Sequence, residues 1–538
     1  MSRSRSGCYT CRARKKKCDE QQPSCGGCKS SNLKCYGYDV APPDWMQGKR
    51  NWGEVMATQE ARELQSMAEA QYRARRREGK ALATPDSCPP VGALVVSRLQ
   101  EPESIWWDGS FCDSLPTTRK PPREDARLLK LYLDFIFPIQ FGFYPMSTPA
   151  DHSWLMSGLC RNTARYHAAL SISASFHASL SEPDKTDELG LNSEVAERQT
   201  AALSALQPVI TRFSQRRLSA RDVAATGLYI LEVMHQLLSL EVFSMLEGGW
   251  QLHHQATRTL LDTMHSYRAA SEQGEPALHL SPIDLALTDS SCPDTKRSFE
   301  FHLTSVAWID VIANATYGSP PDTPLQFDYI PYLHRGALKT QRVMGCHSSV
   351  MASIAEITCL ADWRTSQLQR NSLDTGELSK RATSLAIRLQ DQVWQLEQQP
   401  TLGLAKIEAE SRLVTLQFAC AAEIYLHVVV HGASPTHAEV VPLVRRNLQM
   451  SEALPPGLVI RTNWAFTITG CLASESMYGR FRGLVMSLKA QNRPMGMIWK
   501  GLMVVEECWR LRRLRPELGG GCDWKMATQS LGKKILLV

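Results

Sequence analysis

Six cysteines near the N-terminus are the feature that most constrains how this chain can fold. They form two groups of three with the same spacing, Cys8-x2-Cys11-x6-Cys18 and Cys25-x2-Cys28-x6-Cys35. The pattern is an internal duplication whose halves are related by a pseudo-twofold. A structural zinc ion takes four tetrahedral ligands, whereas each half supplies three thiolates. Two separate sites would need eight sulfurs, so six are enough for two ions only if two thiolates each bridge both metals.

Two other uses of these cysteines are less favoured. Disulfides need an oxidising compartment, and no apolar segment typical of a secretory signal follows the basic N-terminus. Classical zinc fingers need histidine ligands, and the first 150 residues contain no histidine. Metal binding by clustered thiols is therefore the favoured interpretation.

The net charge of the chain is concentrated around the cysteines. The whole chain has a formal charge of +6, and residues 1–40 hold nine basic and three acidic side chains, so the rest sums to zero. Such a local excess indicates a polyanion-binding arm, for which nucleic acid is the first candidate. The alternative interpretation of these basic residues is a solvated face or a nuclear import signal, and either is compatible with DNA binding.

The duplication separates the basic residues into two kinds. Four cations recur at equivalent positions beside the cysteines, as expected for phosphate contacts: Arg12, Lys17, Lys29 and Lys34. The central positions differ, because Arg14 and Lys15 of the first half correspond to Ser31 and Asn32 of the second. Long cationic side chains suit the O6 and N7 atoms of guanine, so only the first half is predicted to contact bases.

The residues around the first three cysteines carry a family resemblance. The run Cys8-Tyr-Thr-Cys-Arg-Ala-Arg-Lys-Lys-Lys-Cys18, with Pro23 two residues before Cys25, resembles the fungal binuclear zinc cluster (Zn2Cys6) transcription factors. The resemblance implies that Cys8 and Cys25 bridge two Zn²⁺ ions. The resemblance also implies that Cys11 and Cys18 complete the coordination of one ion, and that Cys28 and Cys35 complete that of the other.

The same resemblance implies how DNA is read. The helix after Cys11 would enter the major groove and recognise a CGG triplet. Lys15 would make the side-chain contact, and Arg14 would contribute through its backbone.

Composition divides the chain into four segments. Residues 1–38 form the predicted DNA-binding module, and residues 39–80 a linker whose part 55–77 favours a helix. A dimerising coiled coil is one hypothesis for that helix, although its heptads are weak. Residues 81–125 contain seven prolines and are predicted to be a linker. Residues 126–538 form the body.

The body repeats apolar residues at helical spacing between polar or Pro/Gly breaks. Examples are the windows 222–243, 297–317, 413–431 and 464–481. Strand-like alternation is scarce, so we predict a large all-α regulatory domain of about ten to twelve helices behind the small irregular zinc module. The most apolar stretches, 128–144 and 413–432, are interrupted by charged or polar residues, and no transmembrane segment is expected.

The body also resembles the fungal-specific transcription factor domain. Trp250-Gln-Leu-His-His-Gln-Ala-Thr and Ala421-Ala-Glu-Ile-Tyr-Leu-His427 are among the stretches that carry this resemblance. It implies that the body regulates the DNA-binding end, and that in some relatives an apolar cavity binds a small effector.

The body offers no recognisable catalytic motif. His427 and His431 lie four residues apart and would share a helix face, but no third ligand or nearby carboxylate is evident in the sequence. Ordinary helix histidines are the favoured interpretation of this pair.

These observations together indicate a nuclear, zinc-dependent regulator of RNA polymerase II transcription that binds double-stranded DNA at CGG-type sites and is not an enzyme. One alternative is an effector-sensing helical protein whose main activity is small-molecule binding by the body. Another is a cytosolic zinc-containing interaction protein that does not read DNA.

Overall fold

A computed structural model describes much of residues 7–47, Thr58, and most of residues 123–538. The described residues are 7–13, 18–29, 34–38, 43–47, 58, 123–146, 149–181, 188–215, 218–243, 249–267, 280–289, 291–320, 327–398, 404–490, 496–514 and 521–538. They belong to two compact units, one within residues 1–89 and one within residues 90–538. The predicted helix over 55–77, except Thr58, lies outside the described residues, as does the linker 81–125 up to residue 122.

The described part of the N-terminal unit contains three short helical elements. Helix α1 spans Tyr9–Ala13, helix α2 spans Gly26–Lys29, and a 3-10 turn spans Asp44–Met46. Each α-helix begins one residue after the first cysteine of its half. The duplication seen in the sequence is therefore also present in the backbone.

The body is built from α-helices, and no strand occurs among the described residues. Its helices in chain order are α3 (Arg123–Leu131), α4 (Phe137–Gln140), α5 (Pro149–Arg161), α6 (Thr163–Ser181), α7 (Glu188–Gln215), α8 (Ala220–Phe243), α9 (Trp250–Ser266), α10 (Pro282–Thr288), α11 (Pro293–Tyr317), α12 (Ile330–His334), α13 (Thr340–Val343), α14 (Ser348–Gln369), α15 (Thr375–Gln398), α16 (Lys406–His431), α17 (Val440–Ala453), α18 (Pro456–Val459), α19 (Asn463–Cys471), α20 (Tyr478–Ala490), α21 (Gly496–Leu514) and α22 (Trp524–Leu531). A π-helical turn, Tyr132–Ile136, joins α3 to α4.

The prediction of an all-α body is confirmed. Twelve of the described body helices have thirteen residues or more, and eight are shorter. One predicted window, 464–481, is not continuous, because α19 ends at Cys471 and α20 begins at Tyr478 after a 3-10 turn. A residue of α21 stabilises the break, because the Arg512 guanidinium donates to the carbonyl oxygens of Cys471 and Ala473.

Two long helices, α8 and α16, organise the packing of the body. Helix α8 contacts α6, α7, α9, α10 and α11, and helix α16 contacts α14, α15, α17 and α19. Both are long and apolar enough to cross a membrane, but 83% of the apolar window of α8 and 72% of that of α16 are buried inside the protein. A helix that is apolar on most of its faces is expected at the centre of a large helical core.

Local signals set several helix ends. The Ser281 hydroxyl accepts a hydrogen bond from the backbone of Asp284 at the start of α10, and Pro282 occupies the first helical position. Helices α11 and α16 end at glycines with positive φ, Gly318 at 83° and Gly432 at 87°. A side chain at either position would strain the backbone, so glycine ends the helix there.

Candidate metal centre and nucleic-acid interface

The sulfur atoms of the N-terminal unit form two overlapping groups of four. One group consists of Cys8, Cys11, Cys18 and Cys25, and the other of Cys8, Cys25, Cys28 and Cys35. Within each group all Sγ atoms lie within 4.8 Å of one another. Cys8 and Cys25 belong to both groups, and their Sγ atoms are 3.7 Å apart.

These separations fit tetrahedral thiolate coordination. A Zn–S bond of about 2.3 Å places two sulfurs of a tetrahedron about 3.8 Å apart. The Sγ of Cys11 lies 3.5 Å from that of Cys25, and the Sγ of Cys8 lies 3.8 Å from that of Cys28. The donor set and its spacing therefore fit two zinc ions that share two sulfurs.

The backbone supports the two shared sulfurs in the same way in each half. The Cys11 amide donates to the Cys8 Sγ at 3.3 Å, and the Cys28 amide donates to the Cys25 Sγ at 3.2 Å. Such bonds stabilise negative charge on sulfur. Cys8 and Cys25 are fully buried, so the shared sulfurs lie at the centre of the module.

Burial controls the protonation of the cluster before metal binds. It raises the pKa of the Cys8 and Cys11 thiols, and that of Cys28 to about 11. Cys18 is more open, and although burial acts to raise its pKa, hydrogen bonds led by that of the Tyr38 hydroxyl lower it to about 7. Zinc must therefore displace protons from the buried thiols when it binds.

The side chains of Thr10 and Tyr38, which the sequence analysis did not predict as functional, hold the two halves together. The Thr10 hydroxyl donates to the Lys34 carbonyl oxygen at 2.8 Å and accepts from the Tyr36 amide at 3.0 Å. The Tyr38 hydroxyl lies 3.3 Å from the Cys18 Sγ and donates to the Gln21 carbonyl oxygen at 3.1 Å. No sequence signal marks these contacts, because each joins residues 17 to 26 positions apart.

Asp19 supports the start of the second half. Its carboxylate accepts from the amide of Gly26, the first residue of α2, at 3.1 and 2.9 Å. A Cβ atom on residue 26 would lie 2.4 Å from the Asp19 Oδ2, so glycine permits this close approach. The sequence signal for this contact is Asp19 directly after Cys18, with Gly26 directly after Cys25.

Three of the predicted DNA-contacting cations lie within the described residues. Arg12, Lys29 and Lys34 are exposed on the surface of the unit. The Arg12 guanidinium lies 5.5 Å from the Tyr9 ring centroid, and the Lys34 amine lies 5.0 Å from that of Tyr36, an arrangement that orients both side chains. Arg14, Lys15 and Lys17 lie outside the described residues, so their roles remain predictions.

The body contains a cationic cavity of about 650 Å³. Its walls include Trp250, Tyr317, Arg258, Lys525 and Lys533, and none of its described lining residues is acidic. Cavities of about 300 to 1,000 Å³ are typical of small-molecule sites.

Two family models match the chain. The model described as the fungal Zn(2)-Cys(6) binuclear cluster domain matches residues 6–44, and the fungal specific transcription factor domain matches residues 127–538. No solved structure shows a significant match to the chain.

Several curated proteins resemble the chain over most of its length. Transcription factor dibT of Pestalotiopsis microspora is 24% identical over 94% of this chain and 95% of its own. A trichothecene biosynthesis transcription regulator of Fusarium sporotrichioides is 28% identical over 77% of this chain and 99% of its own. The ustiloxin B cluster transcription factor ustR of Aspergillus flavus is 24% identical over 100% of this chain and 99% of its own.

Proposed function

The chain belongs to the fungal-specific transcription factor family with an N-terminal Zn2Cys6 cluster, and from this premise we propose that it reads CGG-type sites in the nucleus to control RNA polymerase II transcription. It is a sequence-specific DNA-binding regulator, and its cluster domain binds two zinc ions. Its similarity is to transcription factors, so we propose a regulatory and not a catalytic role for the whole chain.

We assign the zinc ligands from the sulfur groups. Cys8 and Cys25 bridge the ions, Cys11 and Cys18 complete one site, and Cys28 and Cys35 complete the other. The observation that supports this assignment most directly is the membership of Cys8 and Cys25 in both four-sulfur groups. With two zinc ions and six thiolates, the module keeps about +4 of its formal +6 charge, which still favours DNA.

We propose that the basic residues make two kinds of contact with DNA, to phosphates and to bases. Arg12, Lys17, Lys29 and Lys34 contact phosphates and so position the module, and they carry no sequence information. Lys15 contacts guanine, and Arg14 assists it from the same segment. One module of this charge binds weakly, so we propose a homodimer through the segment 55–77, whose composition favours a helix.

The names of the relatives suggest the class of target genes. One is named a regulator of trichothecene biosynthesis and another the ustiloxin B cluster transcription factor. A further relative, 25% identical over 95% of this chain, is named a pestheic acid cluster regulator. We therefore propose that this chain controls a group of biosynthetic genes.

Genome-wide mapping of bound sites, combined with transcript profiling of a deletion strain, tests this proposal. Bound regions should be enriched in CGG triplets and should lie upstream of neighbouring genes whose transcripts change in the deletion strain. Paired triplets at a fixed spacing would support the homodimer. A nuclear-excluded protein, or bound regions with no common motif, would contradict the proposal.

The cationic cavity favours an additional regulatory role for the body. Its lysines and aromatic walls suit a small anionic molecule with an apolar part. Anionic aromatic compounds should raise the melting temperature of the full chain. Lys525→Glu should abolish the shift, whereas Lys406→Glu, which alters an exposed lysine at the start of α16, should retain it. Equal shifts in melting temperature in both variants would show that the compound does not bind in this cavity.

A further inference from the structure

Three histidines and a glutamate converge where α16 meets α17. His427 and His431 occupy the last turn of α16, one helical turn apart, and their ring centroids are 4.7 Å apart. The loop 432–439 then turns back and brings His437 against them. The His437 ring centroid lies 4.3 Å from that of His427 and 5.8 Å from that of His431.

A carboxylate completes this cluster. The Glu439 Oε2 lies 3.3 Å from the His427 Nδ1. One potential ligand atom from each of His427, His437 and Glu439 lies within 4.8 Å of the other two. The structure thus supplies the third nitrogen and the carboxylate that the sequence around His427 and His431 did not reveal.

We propose that His427, His437 and Glu439 bind a divalent transition-metal ion, with His431 as the fourth ligand. Imidazole nitrogens combined with a carboxylate oxygen form a common zinc ligand set. This site lies in the helical body and is separate in sequence from the six-cysteine cluster.

His427, His437 and Glu439 need only small side-chain movements to close on an ion, whereas the ring of His431 must turn toward them. Ligand atoms of a tetrahedral zinc with nitrogen and oxygen donors lie about 3.4 Å apart, and the His427–Glu439 pair already has that separation. The Glu439 side chain is 72% exposed and can rotate, whereas His427 is 6% exposed and fixed by its surroundings. The second ring nitrogen of His427, Nε2, is buried without a hydrogen-bond partner in the described part of the chain, and Nδ1 is the nitrogen that faces Glu439.

A metal here would link two helices of the core. His427 and His431 end α16, which packs at the centre of the body, while Glu439 directly precedes α17. An ion bound to both sides would fix the loop 432–439 and stabilise the contact of α16 with α17. The competing explanation is that histidines at a helix C-terminus interact with the helix dipole and bind no metal.

Zinc counting on the intact chain separates these explanations. The full-length protein is equilibrated with excess Zn²⁺, desalted and measured by native mass spectrometry. We expect three zinc ions in the wild type and two in His437→Ala. The matched control is His334→Ala, which removes another histidine paired with a glutamate, at 3.2 Å from Glu356, and should retain three. Two ions in the wild type, or equal counts in the two variants, would overturn the proposal.

Cobalt binding provides a second measurement that does not depend on zinc retention. Co²⁺ added to the full chain carrying only two equivalents of Zn²⁺, which fill the thiolate cluster, should produce ligand-field absorption without the sulfur-to-metal charge-transfer bands of a thiolate site. The exposed-residue variant Glu439→Gln should weaken that absorption at least tenfold in apparent affinity. Charge-transfer bands in the wild type, or absorption unchanged in Glu439→Gln, would contradict a nitrogen–carboxylate site at this position.

Discussion

The Sγ atoms of Cys8 and Cys25 lie 3.7 Å apart, and each belongs to both four-sulfur groups of the N-terminal unit. The two residues are first members of the duplicated halves, and both are fully buried. The centre of the module is thus formed by equivalent residues of its two halves. The proposed bridging predicts that removal of either sulfur affects both metal positions.

Cys25→Ser should lose two zinc ions relative to the wild type and abolish specific DNA binding, because both positions lose a ligand. Cys35→Ser, which removes a sulfur from one group only, should lose fewer ions under the same conditions. Native mass spectrometry and a binding assay on a CGG-containing duplex provide the measurements. If Cys25→Ser retains both cluster ions, the bridging assignment is wrong.

Lys15→Ala and Lys34→Ala should weaken DNA binding in different ways. Loss of a base contact relaxes the preference at the guanines, by about 1–3 kcal/mol of discrimination. Loss of a phosphate contact weakens all sequences alike and reduces the magnitude of the salt slope by about 0.9. Binding-site selection and salt titration distinguish the two effects. An unchanged motif in Lys15→Ala would refute its base contact.

Glu232→Gln should strongly destabilise the body. The Glu232 carboxylate on α8 accepts from Arg165 of α6 at 2.9 Å and from Asn162 at 3.0 Å, and the side chains of Arg165 and Glu232 are 0% and 7% exposed. The substitution leaves the Arg165 charge buried without a counterion, at a cost of about 3–5 kcal/mol of unfolding free energy. Chemical denaturation of the full chain measures this loss.

An exposed ion pair provides the matched control for that experiment. Arg480 and Glu452 form a bidentate pair, with side chains 40% and 38% exposed. Solvent screens this pair, so Glu452→Gln should change the denaturation midpoint little. A comparable loss in both variants would show that the network around Glu232 has no special role.

The body should lose stability in mild acid because of a buried histidine pair. The Nδ1 atoms of His235 and His302 are 2.8 Å apart, and burial, reinforced by the charge of Arg165, lowers the pKa of both, that of His235 to about 3. Below about pH 6.5 the unfolded chain gains protons that the folded chain does not. Each such proton lowers the unfolding free energy by about 1.4 kcal/mol per pH unit, progressively down to the folded pKa.

Thermal melting between pH 7 and pH 5 measures this effect. His302→Phe should reduce the decrease in melting temperature, because the unfolded chain then gains one proton fewer. His334→Gln, a substitution of a more exposed histidine, should melt with the wild-type pH dependence. An equally steep decrease in His302→Phe would show that the buried pair is not responsible.

The sequence alone was sufficient for the parts of this protein governed by local spacing. The number of cysteines predicts shared ligands for two zinc ions, and the two-residue spacing in each half predicts that its paired cysteines lie together. The period of apolar residues predicts the long helices, and glycine marks the end of α16 at Gly432. These inferences depend on residues a few positions apart, whose geometry is fixed by backbone sterics and hydrogen bonding.

The remaining features depend on which helix faces pack together. Arg512 stabilises the break after Cys471, and Arg461 donates to the carbonyl oxygens of Ile139 and Gln140 more than 300 residues away. Glu232 meets Arg165 across 67 positions, and the loop after α16 brings His437 back to His427. Apolar periodicity shows that a face is buried but not which partner covers it. Long-range polar pairs are therefore decided by tertiary packing, where each buried charge needs a partner.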